Sequence, residues 1–275
     1  MTTITVDTAD QLLKERHRAM WALGDYPAVA REIIPALGPV LVRAAAVRPG
    51  QRVLDVAAGS GNVALPAARA GAEVLATDLT PDLLAHGQRE AAAEGLEIAW
   101  READAEALPC EDGEYDAVLS CVGVMFAPHH QASADELVRV CRPGGTIGLV
   151  SWTPEGFIGQ LFATMRPYVP APPAGVQPPP LWGDPDHVRG LLGDRVSSVT
   201  AQRQRLLVDR FADGAEFRDY FKSHYGPTVA AYRAIADDPE RSAALDRDLA
   251  ALGDAHDLGG GAMEWEYLLL TATRR

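Results

Sequence analysis

Hydrophobic and polar positions follow one repeating pattern through the middle of the chain. Short apolar runs predict strands near residues 52–57, 73–77, 96–100, 115–121 and 145–151. Helix-like stretches near 62–70, 81–94 and 133–141 separate them. Because helices between successive strands cover both faces of a sheet, this order predicts a doubly wound α/β fold with a mostly parallel sheet.

The pattern changes on both sides of this core, which we place at residues 49–153. Residues 9 to 46 read as helical, with prolines marking breaks or helix starts, and predict an N-terminal helical flap over 1–48. After Trp152 comes a proline-rich loop, "VPAPPAGVQPPP", which cannot form regular structure.

We assign 154–252 to an insertion and lid that includes a sixth strand near 196–208 and a helical region from about Ala212. Residues 253–275 supply the last strand of the core. The lid is rich in aromatic residues, which suits a cover that excludes water from an apolar pocket.

A small-residue turn follows the first strand in "VLDVAAGSGN", and an acid, Asp78, ends the second strand about 20 residues later. This is the βαβ arrangement that holds an adenosine-bearing ligand, with the acid accepting hydrogen bonds from ribose hydroxyls. The dinucleotide fingerprint has a third glycine, which is missing here. Asp55, just before the turn, would repel a pyrophosphate and suits an ammonium group. These features favour S-adenosylmethionine over NAD.

Four ordered segments carry a family resemblance: "VLDVAAGSGN", "VLATDLTPDLLA", "READAEALPCEDGEYDAVLSCVGVMFAP" and "ELVRVCRPGGTIGLVSW". Together they resemble the class I S-adenosylmethionine-dependent methyltransferases, and in particular the bacterial ubiquinone/menaquinone C-methyltransferases. The resemblance implies a Rossmann-like seven-stranded sheet whose last strand is antiparallel. It also implies that the cofactor lies at the carboxyl ends of the first strands.

The resemblance assigns roles to individual residues. Gly59 and Gly61 would approach the methionine part of the cofactor, Asp78 the ribose, and Asp104 with Ala105 the adenine. Ser120 and Cys121 would line the floor near the sulfonium. This sequence departs from the family turn D-x-G-x-G-x-G at Ala57, which is still small enough for the turn. The full predicted cofactor set is Trp21, Tyr26, Asp55, Ala57, Gly59, Gly61, Asp78, Leu79, Asp104, Ala105, Ser120 and Cys121.

Candidate bases and covering residues come from other parts of the chain. His129, in the loop after the fourth strand, and His224, in the lid, could remove a proton from an acceptor. Each could equally be a structural histidine. Trp21 and Tyr26 could close the flap over the cofactor or serve as ordinary core. No carboxylate cluster indicates a divalent metal, so no metal site is predicted.

The composition limits the kinds of binding partner that the protein is expected to have. The net charge of −13 argues against a broad nucleic-acid-binding face. No apolar run is long enough to span a bilayer, and the start "MTTITVDTAD" lacks the apolar core of a secretory signal. The three cysteines lack metal-ligand or disulfide-framework spacing, so we expect reduced thiols and a cytoplasmic protein. The oligomeric state is not indicated.

The predicted function is methyl transfer from S-adenosylmethionine to a small, partly apolar molecule, in secondary or quinone-type metabolism. Two alternatives stay open. One is an S-adenosylmethionine-binding protein with a non-methylating role, and the other is an NAD-dependent oxidoreductase.

Overall fold

The computed structural model describes residues 8–275, and its core is a seven-stranded sheet. Residues 1–7 hold the beginning of the predicted flap and most of the polar start, and lie outside the described residues. The strands are β1 (Arg52–Val56), β2 (Glu73–Asp78), β3 (Ile98–Glu102), β4 (Tyr115–Cys121), β5 (Cys141–Trp152), β6 (Val196–Val208) and β7 (Met263–Arg274).

The sheet order is β3-β2-β1-β4-β5-β7-β6, with parallel pairing from β3 to β5. β7 runs antiparallel to both β5 and β6. The prediction of a doubly wound sheet with an antiparallel last strand is therefore confirmed. β4 is buried over nearly its full length, as expected for a central strand with helices on both faces.

Helices follow the strands as the pattern indicates. They are α1 (Thr8–Trp21), α2 (Tyr26–Glu32), α3 (Leu37–Ala44), α4 (Ala64–Arg69), α5 (Pro81–Ala93), α6 (His130–Val140), α7 (Phe157–Met165), α8 (Pro185–Leu192), α9 (Gly214–His224), α10 (Gly226–Ala234) and α11 (Pro239–Ala255). Four begin at an aspartate whose carboxylate accepts a hydrogen bond from a first-turn backbone N–H: Asp25, Asp184, Asp213 and Asp238.

Three element boundaries differ from the sequence pattern. β3 begins at Ile98, and α6 begins at His130, three residues before the predicted start. β5 begins at Cys141, four residues before the predicted start near 145, and this extension includes the "RPGG" segment. It lies inside β5 as an irregularity, because Tyr115 pairs with Cys141 while Ala117 pairs with Thr146. Gly144, with φ +75°, supplies the backbone freedom for this bulge.

The range 154–252 contains core elements as well as covering ones. α8 packs on α6, and β6 completes the sheet edge next to β7. Two segments therefore lie outside the regular alternation of strands and helices. The first is α7 with the proline-rich loop before α8, and the second is α9 to α11 between β6 and β7. α10 contacts α1, and α9 contacts α2, so the second segment meets the N-terminal helices.

Candidate functional site

A cleft opens at the carboxyl ends of the central strands. Ligands of open α/β sheets bind at this edge, where the strand order reverses. Its walls come from the turn after β1, the tip of β2, the loop after β3, the end of β4 and helix α1. Nine predicted residues line it: Trp21, Tyr26, Ala57, Gly59, Asp78, Leu79, Asp104, Ala105 and Cys121.

Asp78, at the end of β2, is a carboxylate of the cleft floor. Its two carboxylate oxygens each accept a backbone hydrogen bond of 2.8 Å, Oδ2 from Gly59 N–H and Oδ1 from Thr80 N–H. Burial raises the pKa of this carboxyl, and the backbone donors oppose that shift. The carboxylate therefore ties the β1 turn to the β2 tip in a fixed orientation, with lone pairs left for a ligand.

Gly59 leaves the room that a close ligand needs. Its φ is +57°, in the left-handed region, and a Cβ placed there would come within 3.4 Å of the Tyr26 ring. Ala57 lies in the same region at φ +54°, where a side chain is strained. A cleft walled by an open backbone turn and an ordered carboxylate fits the methionine and ribose parts of S-adenosylmethionine.

Gly61 and Ser120 lie outside the cleft lining and have structural partners instead. A Cβ on Gly61 would fall 2.7 Å from the Trp100 ring, so this glycine permits close helix–sheet packing. The Ser120 hydroxyl donates to the Val56 carbonyl at 2.6 Å and accepts from Val124 N–H at 2.9 Å. The positions of Gly61 and Ser120 therefore do not support the direct cofactor contacts that the sequence predicted for them.

Asp55 also differs from its expected role. Its Oδ2 accepts a hydrogen bond of 2.8 Å from Ala64 N–H at the start of α4, and the residue does not line the cleft. Burial raises the pKa of Asp55 to about 8. Its other oxygen, Oδ1, is buried and has no hydrogen-bond partner. Asp55 therefore supports the turn from behind rather than facing a ligand's ammonium group.

Asp104 and Ala105 line the end of the cleft expected for adenine. The Asp104 carboxylate accepts from Glu106 N–H at 2.9 Å and lies 2.6 Å from Lys14 Nζ. Lys14 also pairs with Asp10 and Glu106, at 3.0 and 2.7 Å. Burial opposes protonation of Lys14, but these hydrogen bonds outweigh it and raise its pKa. Helix α1 is thereby fastened to the loop after β3.

The same cluster brings together three possible metal ligands, Asp10, Glu106 and His129, within 4.8 Å of one another. Sequence did not predict this grouping, because Asp10 lies on α1 and the other two lie on separate loops. The Lys14 ammonium pairs with both Asp10 and Glu106. The geometry is that of an ion-pair cluster.

Neither predicted base lines the cleft. His129 Nδ1 pairs with Glu106 Oε2 at 2.9 Å, and its ring is 40% exposed. His224 stacks on Tyr220 with ring centroids 4.2 Å apart, and its Nδ1 contacts the Tyr220 carbonyl at 2.9 Å. The cleft's histidine is His17, which sequence reasoning missed. Its spacing from Lys14 and Trp21 places all three on one face of α1.

The covering side of the cleft is aromatic. The Trp21 ring makes edge contacts with Tyr26, Phe126 and Tyr225, at centroid distances of 5.2, 4.7 and 5.8 Å. Phe162 of α7 joins them through Phe126 and Tyr225. We call these five rings the aromatic cover. Trp21, Tyr26 and Phe126 line the cleft and give it an apolar wall, and Phe162 and Tyr225 pack behind them.

Comparison with known proteins agrees with this geometry. Residues 53–145 match a family model described as a methyltransferase domain. An uncharacterised protein of Mycobacterium tuberculosis is 56% identical over 275 residues, covering 99% of this chain and all of the relative. A demethylmenaquinone methyltransferase of Thermus thermophilus is 39% identical over 116 residues, which are 41% of this chain and 53% of that protein.

Solved structures share the fold at low sequence identity. A geranyl diphosphate methyltransferase in complex with S-adenosylmethionine superposes with a TM-score of 0.51 and 17% identity, covering 88% of this chain and 85% of that one. A [4+2]-cyclase, SpnF, gives a TM-score of 0.51 and 19% identity, with coverages of 87% and 80%. Residues 53–145 are thus a methyltransferase domain, and the chain has the fold of S-adenosylmethionine-dependent methyltransferases. Among residues 8–275, no helix is long and apolar enough to cross a membrane.

Proposed function

We propose that this protein is an enzyme that transfers the methyl group of S-adenosylmethionine to a small, partly apolar molecule. The observation that carries the proposal is the composition of one cleft: the open Gly59 turn and the Asp78 carboxylate on one side, and the aromatic cover on the other. The first side suits the polar cofactor, and the second suits an apolar acceptor.

The cofactor residues follow from the cleft geometry. Asp78 would accept hydrogen bonds from the ribose hydroxyls, and Ala57 and Gly59 would lie along the methionine part. Asp104 and Ala105 would face the adenine, where Lys14 competes for one Asp104 oxygen. S-adenosylmethionine supplies an already activated methyl group, so the protein's task is alignment, exclusion of water and, where needed, removal of a proton.

His17 is better placed than His129 or His224 to remove a proton from an acceptor, because it lines the cleft. Burial lowers its pKa, against the opposing influence of the Glu106 carboxylate and of the Phe126 backbone. A histidine with a lowered pKa is neutral at pH 7 and can accept a proton. His129 is engaged with Glu106 and serves to position the loop that carries it.

The rival functions differ from this one in testable ways. A nicotinamide-dependent oxidoreductase would need a turn that accepts a pyrophosphate, and this turn lacks the third glycine of the dinucleotide fingerprint. The [4+2]-cyclase shares the fold of this chain, but a shared fold does not show which reaction a protein catalyses, so a non-methylating role is left to the experiment.

We also propose a cytoplasmic location, supported by three cysteines that form no disulfide, and no nucleic-acid partner, supported by the net charge of −13.

The test uses S-adenosylmethionine with a deuterated methyl group. The purified protein is incubated with it and with a small-molecule extract of bacterial cells, and products are analysed by mass spectrometry. A deuterated methyl in a low-mass product, absent with the Gly59→Val variant, supports the proposal. Binding of S-adenosylmethionine without any labelled product would favour the non-methylating role.

A further inference from the structure

Helix α1 is attached to the protein differently from the helices that follow it. Among its residues 9–21, whose side chains the structure describes, none is buried. Each of the helices α2 to α11 has buried residues. Most of the stability of a helix in a folded protein comes from burying one of its faces, so α1 receives little of the contribution that holds the other helices in place.

Ion pairs attach the N-terminal part of α1 to β3 and the loop after it. Lys14 Nζ lies 2.6 Å from the Asp104 carboxylate and 2.7 Å from the Glu106 carboxylate. Arg18 pairs with Glu102, and these two side chains are 42% and 46% exposed. Ion pairs that face solvent contribute little to stability, because water and salt screen them. The N-terminal part of α1 is therefore docked by contacts that break easily.

Backbone contacts anchor the opposite end of α1. The N–H of Asp25, in the turn after the helix, donates to the His224 carbonyl at 3.0 Å. A Cβ on Gly226, at the start of α10, would lie 2.4 Å from the Met20 carbonyl oxygen, so the two backbones are in close contact. The helix can therefore undock from its N-terminal end while its C-terminal end stays in place.

The weakly docked part of α1 is also a wall of the cofactor cleft. Lys14 and His17 line the cleft together with Asp104 and Ala105, which lie at the end expected for adenine. Elements that open to admit a ligand are drawn from the least stable parts of a structure, and their movement commonly controls how fast ligands enter and leave. The position of α1 and its weak docking are those of such an element.

We propose that residues 8–18 of α1 form a strap, which undocks from the loop after β3 to admit S-adenosylmethionine and to release S-adenosylhomocysteine. The ion pairs of Lys14 and Arg18 set how often the strap opens. The inference rests on the assignment of the cleft to this cofactor and adds a gate to the proposed function. Because a ligand enters and leaves only through the open strap, weaker ion pairs raise the association and dissociation rate constants by the same factor and leave the dissociation constant unchanged.

Stopped-flow binding of S-adenosylhomocysteine tests the gate. This ligand has no net charge, so salt acts on the strap rather than on long-range attraction of the ligand. Raising sodium chloride from about 50 to about 500 mM should increase both rate constants of the wild type about 3-fold or more, with little change in the dissociation constant.

A matched pair of variants on α1 tests the ion pair itself. Arg18 does not line the cleft, and Arg18→Gln removes its pair with Glu102. At low salt, this change should raise both rate constants about 2- to 5-fold, the factor expected for one exposed ion pair. Arg16→Gln is the control, because Arg16 lies on the exposed face of the same helix, and it should leave both rate constants unchanged.

Hydrogen exchange of the wild type gives a measurement that needs no variant. Backbone amides 13–18 of α1 should exchange at least about 10-fold faster than amides 85–91 of α5, and bound S-adenosylhomocysteine should slow the exchange in α1. Equally slow exchange in the two helices, or rate constants that neither salt nor Arg18→Gln changes, would overturn the inference.

The relation between the two rate constants separates a gate from a fixed wall. Faster dissociation alone, with an affinity that is weaker by the same factor, would show that α1 only contacts the ligand, and would also overturn the inference. Absence of S-adenosylhomocysteine binding in the wild type would defeat the proposed function itself. Normal binding with unchanged rate constants would defeat only the strap.

Discussion

The two sides of the cleft are formed by different kinds of chemical groups. The floor is made from short turns at strand ends, where backbone N–H groups orient Asp78 and a glycine leaves space. The aromatic cover is made from large side chains carried by α1, α2, α7 and the loops after β4 and α9. The floor therefore fixes a ligand by geometry and hydrogen bonds, and the cover by shape and exclusion of water.

This difference separates what each side recognises. A floor of backbone and carboxylate suits one defined polar ligand, and it tolerates little change in backbone conformation. Apolar rings can repack around related shapes, so under the proposed function the cover would determine the choice of acceptor. Changes to the floor should abolish cofactor binding, and changes to the cover side should leave binding in place and alter turnover.

The largest effect is expected for Gly59→Val. A β-branched residue disfavours φ +57° and would place its side chain toward Tyr26, so S-adenosylhomocysteine affinity should fall about 100-fold or more. Gly95→Val is the matched control, since Gly95 has φ +69° and open space around it. It carries the same backbone cost away from the cleft and should bind normally. Equal affinities in the two folded variants would show that the turn is only a connection.

Next in size is His17→Gln, on the covering side. Loss of a base should lower turnover about 100-fold with an acceptor that must lose a proton, while S-adenosylhomocysteine affinity changes little. His129→Gln is the control, because its ring pairs with Glu106 outside the cleft. Full activity in His17→Gln would mean that alignment alone drives the reaction.

A smaller effect concerns pH and Asp55. Its pKa is about 8 when folded against an ordinary value of 3.8, so the folded state keeps a proton that the unfolded state releases. Stability from the neutral form is complete below about pH 4 and is lost as pH rises through about 8. Asp55→Asn cannot ionise, and its unfolding free energy should fall less between pH 5 and 8, by roughly 1–3 kcal/mol.

Urea unfolding across this pH range provides the measurement. Asp116→Asn is the control, since hydrogen bonds to Arg142 and to the Arg52 backbone lower the Asp116 pKa below its ordinary value. That carboxyl is ionised in both states above pH 5, so the shape of the profile should not change. A wild-type slope in Asp55→Asn would assign the pH dependence to other groups.

The smallest effect is expected at Ala57. Glycine has no Cβ penalty at φ +54°, so Ala57→Gly should stabilise the protein by about 0.5 kcal/mol despite greater freedom of the unfolded chain. Ala58→Gly, one residue on and without a positive φ, should destabilise it. Thermal unfolding of both variants tests the sign, and destabilisation in both would show that the Ala57 methyl group is needed for packing against Gly123.

The floor could be predicted from sequence because its signals are local. The turn in 55–61 and the acid at Asp78 lie within one βαβ unit, and periodicity alone placed the strands that carry them. The sequence pattern does not show which residues of this unit face the cleft and which support the turn from behind. Asp55, Gly61 and Ser120 belong to the same segments as the lining residues, but backbone and packing partners hold them behind the floor.

The cover could be predicted only in outline, because its rings come from positions far apart in the chain. Trp21 and Tyr26 were named for their place in the flap, whereas Phe126 and Phe162 join them only through the fold. His17 was missed although its spacing from Trp21 is helical. The pattern shows which residues share a helix face, and only tertiary packing shows what that face meets.

The measurement that tests the central claim most directly is calorimetric binding of S-adenosylhomocysteine and of NAD to the wild type and to Asp78→Ala. The account predicts that S-adenosylhomocysteine binds the wild type and NAD does not. Loss of the charge-assisted hydrogen bonds of Asp78 should weaken S-adenosylhomocysteine binding by roughly 1.5–3 kcal/mol, with the fold checked by circular dichroism. Tighter binding of NAD, or an unchanged S-adenosylhomocysteine affinity in folded Asp78→Ala, would contradict the assignment of the cleft.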